Sequence, residues 1–467
     1  MSDILFSNFQ LEEDTEYFLY IGELKNYGLN TYLKEALSHI FSRKFDFIAI
    51  VPDVFEQYDY ENLIVINPHA KTLECQYGTH VSCRVSSEEF AAVVSKDRRI
   101  HSLIKRLLNR QEHIYIYMYE SIPEMTLDEI PSISILGPDK NIAKQLNSKI
   151  YQYQHLKDIL PVVDFRICHG FDSLIQTTQE LSKSWRNGLF VCREYSAAGV
   201  NSIVARGIDD IKDKFNALDE PYLISRFIPH EHDPTVLAVV AGEEDVYIAG
   251  VADQRIEQGT RFTGSVFPSV LDKKIIERLH EYTRIIGGWL AREGYRGIFG
   301  CDFLVDDNDE IFFIEINARN QVTTLKFCCT LEQSLPSGSP MLPELEFYAV
   351  TEGLFPANTV EMKSNPKDLH WGTYNYKIHG TAQTDGYIPQ STQERQAFKK
   401  VAEGKLKKDF RILEHTGCDF ILADGAFIAR IVALGHHRSD VQQGLNQGRK
   451  TIDLTIIKKL DSEDSNE

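Results

Sequence analysis

Hydrophobic positions in the first third of the chain come in short runs. Tyr17–Ile21, Phe47–Val51, Leu63–Ile66 and Ile114–Tyr119 are apolar or aromatic, the pattern of strands buried on both faces. Between them, Tyr32–Phe41 and Ser102–Asn109 carry apolar residues at helical spacing. Such alternation predicts an open α/β sheet over residues 1–130. No glycine-rich dinucleotide fingerprint accompanies these strands, so a redox nucleotide is not implied. Glu124–Ser134 reads as a linker. Strand and helix patterns resume over Ile135–Tyr222 and Leu223–Thr330, Leu335–Pro343 is a loop by its Pro, Gly and Ser content, and a last α/β portion follows. The expected units are 1–130, 131–222, 223–345 and 346–467, with an acidic tail, Asp461–Glu467, that frays.

Charge narrows the partners. The 467 residues carry 50 Lys plus Arg against 68 Asp plus Glu, a net charge of −18. That balance disfavours nucleic acid, whose phosphates call for a dense basic surface, and anionic lipid. The start, MSDILFSNFQLEED, has no basic segment leading into an apolar core, so no leader is expected there. No apolar run approaches the ~20 residues of a membrane span. The eight cysteines are scattered without a CxxC pair, as in buried thiols of a reducing cytoplasm, the adjacent Cys328 and Cys329 included.

The chemistry concentrates in Gly294–Gln321, GYRGIFGCDFLVDDNDEIFFIEINARNQ. Leu271–Glu293 before it reads as an amphipathic helix that Gly294 stops. GIFGCDFLV and IFFIEIN read as strands joined by DDNDE. If a four-residue turn follows Asp306 and Ile311 resumes the ladder, Asp302 lies opposite Glu315, with Asn317 on the same face. Opposed carboxylates repel, and a divalent cation reverses that penalty. Asp302, Glu315 and Asn317 are three hard oxygen ligands suited to Mg²⁺, which keeps its other positions for water and phosphate. Arg319 adds a guanidinium fork for phosphate. The plainer reading is a surface hairpin with an incidental acid on each strand. The apolar run around Glu315 weighs against it, because buried carboxylates need partners.

GCDFLVD and EIFFIEINARNQ resemble the metal-binding hairpin of the ATP-grasp superfamily. The resemblance implies an N-terminal pre-ATP-grasp α/β domain over 1–130, then an ATP-grasp fold. Its lobe and lid would be 131–222, its core 223–345, and its C-terminal α/β portion 346–467. It implies that Asp302 and Glu315 hold Mg²⁺, with Glu315 bridging two ions, Asn317 on the second, and Mn²⁺ as a substitute ion. Arg319 would stabilise the transferring phosphoryl group. Lys149, opening a helical stretch that runs to Pro161, resembles the family's phosphate-binding lysine. GLFVCREYSAAGVNSI (Gly188–Ile203) resembles the strand and flexible lid that close over the phosphates. There Arg193 stands at the usual lysine position, and the loop, with Ser196 and Gly199, has one glycine where the family has several. Small residues let backbone N–H groups approach phosphate closely. PYLISRFIPHEHDPTVLAVV (Pro221–Val240) resembles the adenine hinge. Arg226, Phe227 and Ile228 would line the base, and Glu231 or Asp233 would take the ribose. Gln254, Arg255 and Arg261 fall in a segment expected to face substrate.

The family's reaction converts a carboxylate to an acyl phosphate with ATP, then lets an amine or thiol displace phosphate. Lys149, Arg193, Arg319 and two metal ions would neutralise the moving charge, and no nucleophilic side chain is required. FSNF, YFLYIGEL and FIAIVPD resemble the pre-ATP-grasp domain of a subgroup that includes butirosin-type glutamate–acyl-carrier-protein ligases and pheganomycin-type peptide ligases. That implies activation of an amino acid, L-glutamate above others, and capture on the phosphopantetheine thiol of an acyl-carrier protein in antibiotic biosynthesis. FKKVAEGKLKKDFR (Phe398–Arg411) is a basic stretch that an acidic carrier would fit, although a solvated helix face is the simpler account. An amide ligase shares every ATP-site residue, and a non-catalytic nucleotide sensor shares the fold.

Overall fold

The computed structural model describes residues 11–52, 62–69, 85–196, 199, 201–215, 219–257, 259–363, 365, 367–384, 393–413, 415, 421–422 and 425–460. The FSNF segment, three lid positions (197, 198 and 200) and the acidic tail lie outside them.

The N-terminal unit contains β1 (Glu16–Ile21), α1 (Leu29–Phe41), β2 (Phe45–Val51), β3 (Leu63–Val65), α2 (Ser87–Lys96), α3 (Arg98–Leu108), β4 (Ile114–Met118) and β5 (Ile133–Leu136). The strands form one parallel sheet in the order β3-β2-β1-β4-β5. Its strands are continuously apolar because both faces are covered. Phe18 and Tyr20 enter one hydrophobic cluster, while Tyr17, Leu19 and Ile21 enter another with α2 and α3. The sheet runs past the boundary expected at residue 130. The segment expected as a linker buries Met125 and Leu127 and leads directly into β5, which buries Ile133 and Leu136. Strand order reverses between β1 and β4, and the crevice at the carboxyl ends of two such strands is where open α/β sheets bind ligands.

After α4 (Lys140–Leu146) and α5 (Lys149–Leu156), a four-stranded antiparallel sheet forms from β6 (Phe165–His169), β7 (Leu189–Arg193), β8 (Ser202–Ala205) and β9 (Pro221–Arg226). It stands in the order β6-β9-β7-β8, with α6 (Phe171–Leu181) and α7 (Ile208–Lys214) packed on it. The core sheet begins with β10 (Pro234–Val240), β11 (Val246–Glu257) and β12 (Arg261–Phe267). Then come α8 (Lys273–Arg292), β13 (Gly297–Val305), β14 (Ile311–Asn317), α9 (Thr324–Ser334) and α10 (Leu342–Thr351). Gly294, at φ +87°, ends α8 by giving its N–H to Ala291 while Tyr295 N–H reaches back to Leu290, the Schellman pattern.

The chain continues through β15 (His370–Lys377), β16 (Thr381–Thr384), α11 (Glu394–Ala402), β17 (Lys408–Leu413), β18 (Ile421–Leu422), β19 (Phe427–Gly435), α12 (Arg438–Asp453) and β20 (Ile456–Leu460). The eight-stranded sheet runs β14-β13-β10-β11-β12-β15-β19-β17, and β18-β16-β20 form a small separate sheet. The division expected at 345 therefore cuts through one sheet, because β15 pairs with β12 at Val266–Gly372. One hydrophobic cluster joins Phe18 of β1, Leu237 of β10, Phe327 of α9, Trp371 of β15 and Phe398 of α11. It fixes the N-terminal unit against the core. Cys168, Cys192, Cys301, Cys328 and Cys329 are buried free thiols.

Glu346 of α10 is buried in this joint and accepts from the Ile298 amide of β13 at 3.3 Å. Burial, only partly offset by Ile298 and Tyr117, pushes its carboxyl from 4.5 up to about 8. The folded state thus keeps this proton where the unfolded chain has lost it, so stability falls as pH rises from about 4.5 to about 8. Glu346→Gln keeps an acceptor for Ile298 without the titration. Melting curves from pH 5 to 8 should show a steeper loss for the wild type than for E346Q. Parallel curves would refute the assignment.

Candidate functional site

The hairpin places its acids together by a route the sequence does not show. Ile311 pairs with Val305, one residue short of the expected register. Continued regularly, that register would set Asp302 against Ile314 and turn Glu315 to the other face. A bulge between Asp302 and Phe303 shifts the ladder, and Asp302 pairs with Glu315 and Gly300 with Asn317. Asn317 Nδ2 donates to Asp302 Oδ2 at 3.0 Å. Asp302 is 9% exposed. Burial raises its pKa above the usual carboxylate range, and Thr235, Gln254, Lys149 and Asn317 only partly offset that.

Lys149 arrives from the first turn of α5. Ser148 caps that helix by accepting from Tyr151 N–H at 3.1 Å, and its hydroxyl donates to Glu194 at 2.5 Å. The Lys149 ammonium, 8% exposed, pairs with Glu315, and burial pulls its pKa down. Arg319 completes the group. It donates to Asn317 Oδ1 at 2.8 Å and to the Tyr119 hydroxyl at 3.1 Å, and its Nε lies 3.4 Å from Glu120. Burial works against its charge, but Tyr119, Glu120 and Asp302 together hold its pKa above the ordinary value.

Tyr119 and Glu120 follow β4, so the N-terminal sheet delivers them at its reversal point. Asn147 ties the units together: its Nδ2 donates to Glu120 at 2.7 Å and its Oδ1 accepts from Ala318 N–H at 2.9 Å. Burial raises the Glu120 pKa, partly countered by Arg319 and Asn147. None of these three was expected at the site. Glu120 gives one sequence signal, an acid directly after an apolar run that Tyr119 ends, and Asn147 stands two residues before the expected Lys149.

The other expected residues divide. Ser196 lies with Lys149 beside Cys192, whose thiol burial pushes up. Gly199, at φ +79°, packs so closely on Thr260 and Arg261 that a Cβ there would strike the Thr260 carbonyl. The lid strand and loop thus reach the β11–β12 turn, after which Arg261 begins β12. Arg193 is not brought to the hairpin. Alternation along β7 puts Cys192 on the Lys149 side and Val191 on the opposite side with Tyr222 and α6. Arg193 follows Val191 outward, its Nε 2.8 Å from Glu220. Arg226 is also turned out, 3.4 Å from Asp164, beside a cleft of about 210 Å³ shared with Trp185 and Phe227. Ile228 packs inward. Its carbonyl and Asp233 both bond His230, at 2.6 and 2.8 Å. Burial works against charge on His230, but Asp233 holds its pKa above the ordinary value. Glu231 is exposed. Glu231, Asp233, Gln254 and Arg255 border one cavity of about 410 Å³.

An ATP-grasp domain model matches residues 147–323, from the Asn147 link through the hairpin to the start of α9. The chain carries an ATP-grasp domain. The [butirosin acyl-carrier protein]–L-glutamate ligase of Niallia circulans is 22% identical over 229 residues, covering 46% of this chain and 54% of its own length. The chain thus spans about half the length of the curated relative it matches. N5-carboxyaminoimidazole synthase from Aspergillus clavatus, solved with ADP and 5-aminoimidazole ribonucleotide, superposes with a TM-score of 0.55 at 15% identity. The match covers 95% of this chain and 100% of that one. Biotin carboxylase from Campylobacter jejuni gives 0.57 at 15% identity over 96% and 92% of the two chains. Both likenesses concern the fold.

The ATP-grasp hairpin also suits a divalent cation on its own chemistry. Asp302 Oδ1 is buried without a hydrogen-bond partner, and a carboxylate so desolvated gains from a cation. Among the described residues no three or more His, Cys, Asp or Glu gather as a metal site. Two carboxylates and a carboxamide are instead the sparse oxygen set of Mg²⁺ that leaves room for phosphate. Among the described residues no helix is long and apolar enough to cross a membrane.

Proposed function

We propose that this protein is an ATP-dependent, ADP-forming ligase that activates an amino-acid carboxylate, L-glutamate first among candidates, as an acyl phosphate. The observation that carries it is the convergence of Asp302, Glu315, Asn317, Lys149 and Arg319 around one bulged hairpin. Lys149 would hold a phosphate of ATP, with the lid at Ser196 and Gly199 over it. Arg319, braced by Glu120 and Tyr119, would meet the charge that spreads over the phosphoryl group in transfer. Asp302, Glu315 and Asn317 would hold two Mg²⁺ ions, which when bound neutralise phosphate charge. Ile228 and its hinge neighbours would line the adenine, and Asp233 would take the ribose. Arg193 stays out of this set because it pairs with Glu220 on the outer side of β7.

The acceptor we favour is the phosphopantetheine thiol of an acyl-carrier protein. The Niallia circulans relative supports it. So do the exposed lysines 399, 405, 407 and 408 on α11, the approach to β17 and its first residue, a face suited to an acidic partner. The test is mass spectrometry of a holo carrier incubated with the enzyme, ATP, Mg²⁺ and L-glutamate. A carrier heavier by one glutamyl group, with ADP and phosphate released, is expected. AMP and pyrophosphate would overturn the acyl-phosphate mechanism. Turnover with amines and never with a holo carrier would replace the thioester by an amide.

A further inference from the structure

The cavity of about 410 Å³ beside the hinge is bounded by residues far apart in the chain: Arg255 of β11, Tyr374 of β15, and Gln442 and Arg449 of α12. Its two arginines are held as if for a guest. Arg255 donates to the Gln442 side-chain carbonyl. The Arg449 guanidinium lies over the Tyr374 ring, 4.7 Å from its centre, a stacking that fixes the plane of its fork. Neither forms an ion pair among the described residues. The same region does supply acids to two other arginines: Arg438 has Asp253 at 3.2 Å and Arg411 has Asp409 at 2.8 Å. Burial, with the charges of Arg438 and Arg449, pulls the Arg255 pKa below its ordinary value, and Glu257 and Tyr374 counter this only in part. Arg255 is half-buried and Arg449 exposed, so the want of a counter-ion weighs chiefly on Arg255, and an anion entering the cavity would meet both positive charges. The acids that face them do not fill that role. Asp233 bonds His230 through one oxygen and is the residue assigned to the ribose, and Glu231 and Glu257 are exposed to solvent.

Gln254 links the cavity to the hairpin, because it borders the one and its side chain reaches Asp302 of the other. We propose that Arg255 and Arg449 form a carboxylate-binding subsite for the small substrate. The substrate would then be a dicarboxylic amino acid or peptide, one carboxylate at the arginines and another presented for activation. This inference rests on the ligase reading. Paired guanidinium forks match a carboxylate bidentately, and Glu231 and Glu257 at the rim suit the substrate's ammonium group.

The test is calorimetric titration of the full chain with L-glutamate, L-aspartate and glutarate, with L-glutamine and L-asparagine as neutral counterparts, and with inorganic phosphate. At least one dicarboxylate should bind tenfold or more tightly than its amide. Arg255→Gln and Arg449→Gln should each weaken it tenfold or more while ADP affinity, which reports the fold, stays unchanged. Arg449→Lys, which keeps the charge and loses the fork, should fall between. Equal binding by wild type and both variants, or no dicarboxylate bound at all, would overturn the subsite. Binding of phosphate in place of the dicarboxylates would overturn the carboxylate assignment as well. ADP formation is scored separately. A wild type that binds dicarboxylate through these arginines yet never forms ADP refutes the ligase reading and leaves the subsite standing.

Discussion

Glu315→Gln should lower ADP formation by about 10³-fold or more, the scale on which a preorganised charge acts on a transferring phosphoryl group. The change keeps the shape of the side chain and removes one of two opposed charges from the hairpin. Glu315 is partly exposed, with 19% of its side chain accessible, and its neighbours Phe313 and Ile316 carry the packing of β14. Gln keeps an oxygen for the Lys149 ammonium and relieves the repulsion with Asp302 across the ladder, so the melting temperature should move by only a few degrees and lost activity will not reflect lost fold. Arg319→Ala should cost about 10²-fold or more in kcat, since its guanidinium stands where Asn317, Tyr119 and Glu120 aim it. Arg193→Ala gives the contrast. Its pair with Glu220 is partly exposed, at 26% and 42% of the two side chains, and lies on the outer side of β7 away from the hairpin, so kcat should stay within about threefold. A Glu315→Gln enzyme with more than a tenth of wild-type activity would remove the hairpin from the mechanism.

The same residues show what a sequence can and cannot tell. Asp302, Glu315 and Asn317 were legible because they sit on adjacent strands of one hairpin, where a period of two fixes the face. Their alignment nonetheless depends on a bulge that no residue type announces. Arg193 was misplaced for a related reason. Both sides of β7 are covered, so its burial pattern contains no clean alternation to reveal which side faces the cleft. Glu120 and Tyr119 escaped because their partner Arg319 is about 200 residues away and meets them only through the reversal of the N-terminal sheet. The open α/β reading of the first unit succeeded on its continuous apolar runs. Its boundary failed because β5 is a short strand inside a segment rich in Pro and acids. The last third was read as a separate portion for want of any local mark that β15 would join the sheet of the β13–β14 hairpin.

Glu394→Ala should be the most destabilising single change in the molecule outside its aromatic core. Lys326 of α9 and Glu394 of α11 are 1% and 6% exposed in their side chains, with Nζ 3.1 Å from the carboxylate. The pair itself adds little, because desolvating both charges cancels most of their attraction, but removing one leaves a buried charge without its partner, at about 3–5 kcal/mol. That should show as a lower urea midpoint. Replacing both at once, Lys326→Met with Glu394→Leu, should recover most of the loss. The damage should also reach the site. Helix α9 starts three residues after Gln321, and the Arg319–Gln321 segment is held between it and the N-terminal sheet, where Asn320 N–H donates to the Tyr119 carbonyl at 3.1 Å. Loosening α9 should therefore raise the ADP Kd and lower kcat in the single variant, and the double variant should restore both. A single variant as stable as the wild type would mean that Lys326 finds water or another acceptor, and that the pair does not anchor α9.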